Sequence, residues 1–190
     1  MPMPPILDTI DWKSTYELGI DFATWLNQAK NDSNRGTMEK IHSKQPLSEE
    51  VMATLQQIDR PVHVIAIAED WCGDVVRHAP ILQKMADQSD HLHVRYITRE
   101  GFEEVFVRYL TNGGEAIPKF IFLNESFVEC GNWGPMTQAF RDLISRGKAC
   151  GDVAAARKII HDAYYKDRER NDVVDELMYL FDIASAHSVE

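Results

Sequence analysis

Apolar positions change their period near residue 61. Across Ser14 to Lys30, Tyr16, Ile20, Ala23, Trp25 and Leu26 recur roughly three or four apart, the repeat of an amphipathic helix with one apolar stripe. Ser14 followed by Glu17 reads as a capping box, and the polar run NDSNRGT (31–37) ends the helix. A second helix is predicted from Ser48, with Ser48 as N-cap and Glu49 and Glu50 at the positive end of its dipole. Residues 1–60 therefore read as a helical N-terminal extension.

After Pro61 the pattern is that of strands. VHVIAIA (62–68) is short and β-branched, as expected of a strand covered on both faces, and LHVRYI (92–97) is a second such run. Between them Val76, Ala79, Ile81, Leu82 and Met85 mark a helix over 73–88, kinked at Pro80. Strand, helix, strand with a right-handed crossover makes the two strands parallel. A helix over Phe102 to Thr111 stops at NGG (112–114). AIPKFIFLNESFVECG (116–131) reads as two strands joined by a turn at Asn124 and Glu125, covered by a helix over Met136 to Arg146. Asp152 to Ala184 is helical. The expected fold is a single α/β domain, with a core at 61–147 between helical regions at 1–60 and 148–190.

Composition and charge narrow the possible partners. The longest apolar runs, such as Phe120 to Leu123, fall far short of the ~20 residues of a membrane span. A net charge of −10 over 190 residues repels polyanions, so neither nucleic acid nor a membrane surface is an expected partner. The charged segment YYKDRERNDVVDE (164–176) has mixed signs and reads as a solvated helix face. The stretch MPMPPILDTIDWKSTYELG has no basic and apolar regions of the secretory kind. With three widely spaced cysteines, Cys72, Cys130 and Cys150, the expectation is reduced thiols in a cytoplasmic protein. Nothing in the pattern specifies an oligomeric state.

The candidate chemistry centres on Cys72, which follows a strand and precedes the first turn of a helix. Free backbone N–H groups and the helix dipole favour its thiolate, whereas Glu69, Asp70 and Asp74 oppose it. Arg77 and His78 offset those carboxylates only if they turn back towards the sulfur. Cys72, His78, His91 and His93 supply metal-ligand types without metal-ligand spacing, so no metal is expected. With no Gly-rich phosphate loop, no cofactor is expected either, and no nucleophile elbow is present.

EDWCGD (69–74) after a buried strand, and AIPKFIFLN (116–124) before a hairpin, resemble the thioredoxin-like family in order, spacing and context. The likeness covers roughly Pro61 to Gly147. With the flanking helices it suggests the longer members that carry an N-terminal helical region. The resemblance implies a thioredoxin-like fold, a mixed sheet flanked by helices with N- and C-terminal helical extensions. It also implies a role for each matching residue. Cys72 would be the nucleophile, with Trp71, Gly73 and Asp74 around it. Ile117 and Pro118 would form the cis-proline loop that packs against the cysteine and receives extended substrate chains. Gly131 would lie in the loop completing that surface, and Trp133 is a candidate for the same surface or for the core.

The departures are specific. Val75 stands where the family has its second cysteine, Asp74 where it has proline, and Ala66 where it has a buried acidic residue. A single-cysteine site leaves two functions. One is monothiol exchange with protein disulfides or low-molecular-weight thiols, with Cys130 as a possible resolving thiol. The other is a redox-inactive module that binds a protein partner through Trp71, Pro118 and Trp133. Cys130 also reads as a small apolar side chain at a strand end.

Overall fold

The computed structural model of the protein describes residues 6–167 and 169–189. Pro2, Pro4 and Pro5 of the N-terminal stretch and Arg168 of the charged segment lie outside the described residues. Strand β1, Val62–Ile67, is nearly all apolar because it runs between two neighbours and under helices, with five of its six residues buried. On one side it pairs in parallel with β2, Leu92–Ile97, in the register Val62 to Leu92 through Ile67 to Ile97. The crossover is helix α5, Gly73–Ala86, which carries Pro80 inside it. On the other side β1 pairs antiparallel with β3, Lys119–Leu123, all five of whose residues are buried. The edge strand β4, Glu129–Trp133, pairs antiparallel with β3 and completes the order β2-β1-β3-β4. The result is a mixed four-stranded sheet flanked by helices.

The N-terminal region is more broken than its apolar stripe predicts. In place of one helix over 14–30 there are α1, Trp12–Leu18, and α2, Phe22–Asn27. The interruption is tertiary: the Ile20 N–H donates to the Tyr96 carbonyl at 3.1 Å, and the Tyr96 N–H donates back to Ile20 at 2.8 Å. Ile20 thus forms a bridge to β2 and cannot remain helical. The cap is Asp11, whose carboxylate accepts from the Ser14 N–H at 3.0 Å, so Ser14 is a helical residue and not the cap. NDSNRGT does not terminate a helix either. It opens α3, Asp32–Lys44, with Asn31 as N-cap accepting from the Asn34 N–H, because short polar residues that stop one helix also cap the next. Helix α4, Glu49–Gln56, starts at the Ser48 cap as expected.

Other boundaries move for local reasons. The helix expected over 102–111 is α6, Glu103–Phe106, plus a 3-10 turn, Val107–Tyr109. The β3–β4 connection is longer than a turn at Asn124 and Glu125: the Asn124 side chain accepts from the Ser126 and Val128 N–H groups and organises it. Helix α7 runs Gln138–Cys150, not 136–146. The C-terminal helical segment is two helices, α8, Val153–Lys166, and α9, Asn171–Ser185. They are parted where the Asp167 carboxylate accepts from the Glu169 and Arg170 N–H groups. The charged stretch expected on one solvated helix face is therefore divided between two helices. Helix α9 packs on β3, β4 and α5, while α3 packs on α5. No helix among the described residues is long and apolar enough to cross a membrane.

Candidate active site

The segment between β1 and α5 is held by the N-terminal helices. The Trp25 indole N–H donates to the Ala68 carbonyl at 3.3 Å. The Asp70 carboxylate accepts from the Asn31 N–H at 2.9 Å, and its carbonyl accepts from the Asn34 amide at 2.7 Å. Glu69 accepts from the Arg99 N–H at 3.0 Å and pairs with its guanidinium. With the two residues before it tethered, Trp71 projects outwards, 57% exposed, and the Arg99 guanidinium lies 5.2 Å from its ring.

Cys72 is the N-cap residue of α5, extended at φ −85° and ψ 123°. The Val75 and Asp74 amides are turned towards its sulfur without closing a hydrogen bond to it. The half-buried thiol instead donates to the Ile117 carbonyl at 3.4 Å. The balance of charges is now determinate. Burial pushes the thiol pKa up, the Asp74 and Glu69 carboxylates push the same way, and the two amides oppose them without prevailing. Arg77 is occupied with Asp74, at 3.6 Å, and with the Tyr164 ring, at 5.0 Å. His78 is sealed in the core beside Tyr164, and burial lowers its pKa to about 3, so it is neutral.

Opposite Cys72 the chain forms two apposed loops. The Ile117–Pro118 and Gly134–Pro135 peptide bonds are both cis. Gly134, at φ +114°, lies so near Pro118 that an added Cβ would fall 2.1 Å from the Pro118 carbonyl oxygen. Lys119, only 4% exposed, ties the loops together: its ammonium donates to the Thr111 hydroxyl at 2.7 Å and to the Gly134 carbonyl at 2.8 Å. Burial lowers its pKa to about 8. Neither Gly134 nor Lys119 was an expected site residue. The available signals were a Gly-Pro pair after Trp133 and a lysine inside the apolar run IPKFIFL.

A cysteine at the head of the crossover helix, facing a cis-proline loop across the end of a mixed sheet, is the arrangement that the sequence comparison bears on. The chain matches the thioredoxin family over residues 19–157. It belongs to the thioredoxin family. The match includes α2 to α4 and the start of α8 as well as the sheet. No curated protein matches the chain. Among solved structures it resembles a protein of unknown function from Pseudomonas aeruginosa at TM-score 0.71 and 18% identity, covering 92% of this chain and 98% of that one. It also resembles an HIV epitope-scaffold at TM-score 0.70 and 17% identity, covering 91% and 98%. At such identities the likeness is one of fold.

In this thioredoxin-family protein Trp71, Cys72, Gly73, Asp74, Ile117 and Pro118 come together, and three further expected residues do not. Gly131 pairs with Phe122 inside β4, and an added Cβ would fall 2.8 Å from Leu180 of α9. It serves helix packing, and Gly134 occupies the loop beside Pro118. Trp133 is 2% exposed, stacked on Phe120 at 5.3 Å, with its indole N–H donating to Glu176 at 2.6 Å. It is a core residue and offers no recognition surface. Cys130 is level with Phe122 and Leu123, the far end of β3 from Ile117. The five residues of β3 that separate the two ends span about 13 Å, well beyond the roughly 7 Å that a disulfide allows between α-carbons. Cys130 cannot resolve a disulfide at Cys72 in this fold.

Val75 and Ala66 are both fully buried, Ala66 between Tyr96 and Phe120 in the sheet register. No group of three or more His, Cys, Asp or Glu side chains placed to hold a metal ion occurs among the described residues.

Proposed function

We propose that the protein carries out thiol–disulfide exchange through Cys72 alone, in a reducing cytoplasm, with protein disulfides or low-molecular-weight thiols. The observation that carries this reading is the placing of one half-buried sulfur between two inward-turned helix amides and the Ile117–Pro118 loop. A Cys72 thiolate attacks one sulfur of a disulfide, forming a mixed disulfide and releasing the other half as a thiolate. With Val75 in place of a resolving thiol, a second external thiolate then attacks the mixed disulfide and returns Cys72.

The raised pKa sets the pH dependence. Only the thiolate reacts, so the fraction of reactive Cys72 is small at pH 7 and grows as pH rises past the ordinary thiol value of about 8.5. The rate of alkylation is expected to climb through pH 9 without a plateau below it, and mass spectrometry should show a mixed disulfide after treatment with oxidised small thiols at pH 9. A chain that stays unmodified there is not an exchanger. That outcome supports the second reading, a module binding an extended partner strand on Trp71 and the Ile117–Pro118 loop, which the same raised pKa and the exposed Trp71 favour.

Val75→Cys is the complementary test. Position 75 is buried one turn beneath Cys72, as suits a resolving thiol. On oxidation the variant is expected to lose both thiol hydrogens as an internal disulfide forms between Cys72 and the new thiol. Its reduced dithiol form, with dithiothreitol supplying the electrons, should gain disulfide reductase activity towards insulin, slowed because Ala66 supplies no carboxylate to take the second thiol's proton. A variant that forms no internal disulfide contradicts the inferred geometry at the head of α5.

A further inference from the structure

We infer that the cleft between α7, α8 and the first turn of α5 binds the carboxylates of a small peptide thiol, so that the disulfide exchanged at Cys72 is an anionic low-molecular-weight one. This rests on the exchange reading above and narrows it to a substrate class. The cleft has a volume of about 560 Å³, the scale of a small-ligand site and far less than a protein docking face. Its lining carries four cationic side chains, Arg77, Arg141, Lys148 and Arg157, against two carboxylates, Asp74 and Glu115.

Both carboxylates already have partners. Asp74 lies 3.6 Å from Arg77, and Glu115 lies 3.1 Å from Arg99, which stands outside the cleft. Arg141 is committed to the Gly134 and Met136 carbonyls. Lys148 and Arg157 are exposed, and neither side chain makes a hydrogen bond or close ion pair among the described residues. Two cations therefore remain to attract an anion, on a protein whose net charge is −10. A local positive field of that kind selects ligands against the background of the whole molecule. Arginine also offers a planar fork that matches a carboxylate.

The cleft adjoins the segments that flank the reactive sulfur. Asp74 on its rim is two residues from Cys72, Ala116 adjoins Ile117, and Pro135 follows the Gly134 that abuts Pro118. The charge of Arg157 reaches that rim, since it pulls the Asp74 carboxyl down against the burial that raises it. Pro135, Met136, Ile144 and Ile160 provide apolar wall. A short peptide can thus lay its backbone on that wall, its carboxylates on Lys148 and Arg157, and its sulfur at Cys72. In the reaction the Cys72 proton passes to solvent, the thiolate forms a bond to one sulfur of the peptide disulfide, and the other half leaves as a thiolate.

The test compares two disulfides of opposite charge on the full chain. Oxidised glutathione carries carboxylates and cystamine carries only ammonium groups. The ratio of their second-order rates at Cys72, divided by the same ratio for a free small thiol, is expected to exceed one. In Lys148→Glu/Arg157→Glu the ratio should fall about tenfold, and added salt should move the wild type the same way. Both substituted residues are exposed, so the variant retains the core. A ratio equal in wild type and variant overturns the proposal. A second arm uses S-methylglutathione, which has the carboxylates but cannot exchange, titrated into Cys72→Ser. Saturable binding, lost on charge reversal, supports the cleft, and no binding overturns it. Binding of S-methylglutathione with no reaction of either disulfide would defeat the exchange reading and its substrate, leaving the carboxylate site in place. Reaction without charge preference or binding would defeat the cleft and leave exchange.

Discussion

Gly134→Ala is expected to lower the stability of the protein by roughly 4 kcal/mol, from about 1–3 kcal/mol for a side chain at a forbidden φ and about 1–3 kcal/mol for overpacking. The new Cβ would sit 2.1 Å from the Pro118 carbonyl oxygen and 3.0 Å from its carbon. Both atoms belong to backbone, so no side chain can swing aside to admit it. The two loops must part, and Ile117, whose carbonyl holds the Cys72 thiol, moves with them. A denaturation midpoint and the alkylation rate of Cys72 should therefore change together. Gly113→Ala is the comparison: it has φ +74° but open space around the added Cβ, and should cost only about 1 kcal/mol of backbone strain. Equal losses for the two variants would mean that the loops are not in close contact.

Phe181→Ala should cost about 3–5 kcal/mol, the usual consequence of emptying a fully buried aromatic site. Phe181 has no exposed surface and meets Phe122 of the central strand β3 edge to face, 5.1 Å between ring centres. Helix α9 also contributes Val173, Leu177 and Leu180 to the core, and Glu176 to the Trp133 indole. Equilibrium unfolding checks the prediction against Tyr179→Ala on the exposed face of the same helix, 65% accessible, which should stay within about 0.5 kcal/mol. Similar small losses for both would make α9 an appendage; the expected result makes it part of the domain.

These expectations divide cleanly by what the residues meet. Strands β1 and β2 were legible to within a residue: β1 because neighbours and helices cover it and leave a nearly continuous apolar run, and the edge strand β2 because His93 and Arg95 alternate with buried Leu92, Val94 and Tyr96, the period of a strand covered on one face. Ser48 was legible as a cap because its partner is the Val51 N–H three residues away. The interruption at Ile20 was not, since it depends on Tyr96 seventy-six positions along the chain. Nor was the organisation of the loops, which a buried lysine and a glycine without room for a side chain hold together across β3 and β4.

The candidate site divides the same way. By itself the sequence determined a cysteine at a helix head, a family, and the loss of the second thiol at Val75, because each is a property of adjacent residues. Only the tertiary structure decided that Trp133 is core, that Cys130 lies at the wrong end of the sheet, and that Gly134 stands where Gly131 was expected. It also fixed the direction of the Cys72 pKa, since desolvation is its largest cause and burial exists only once Ile117 and the sheet have closed around the sulfur.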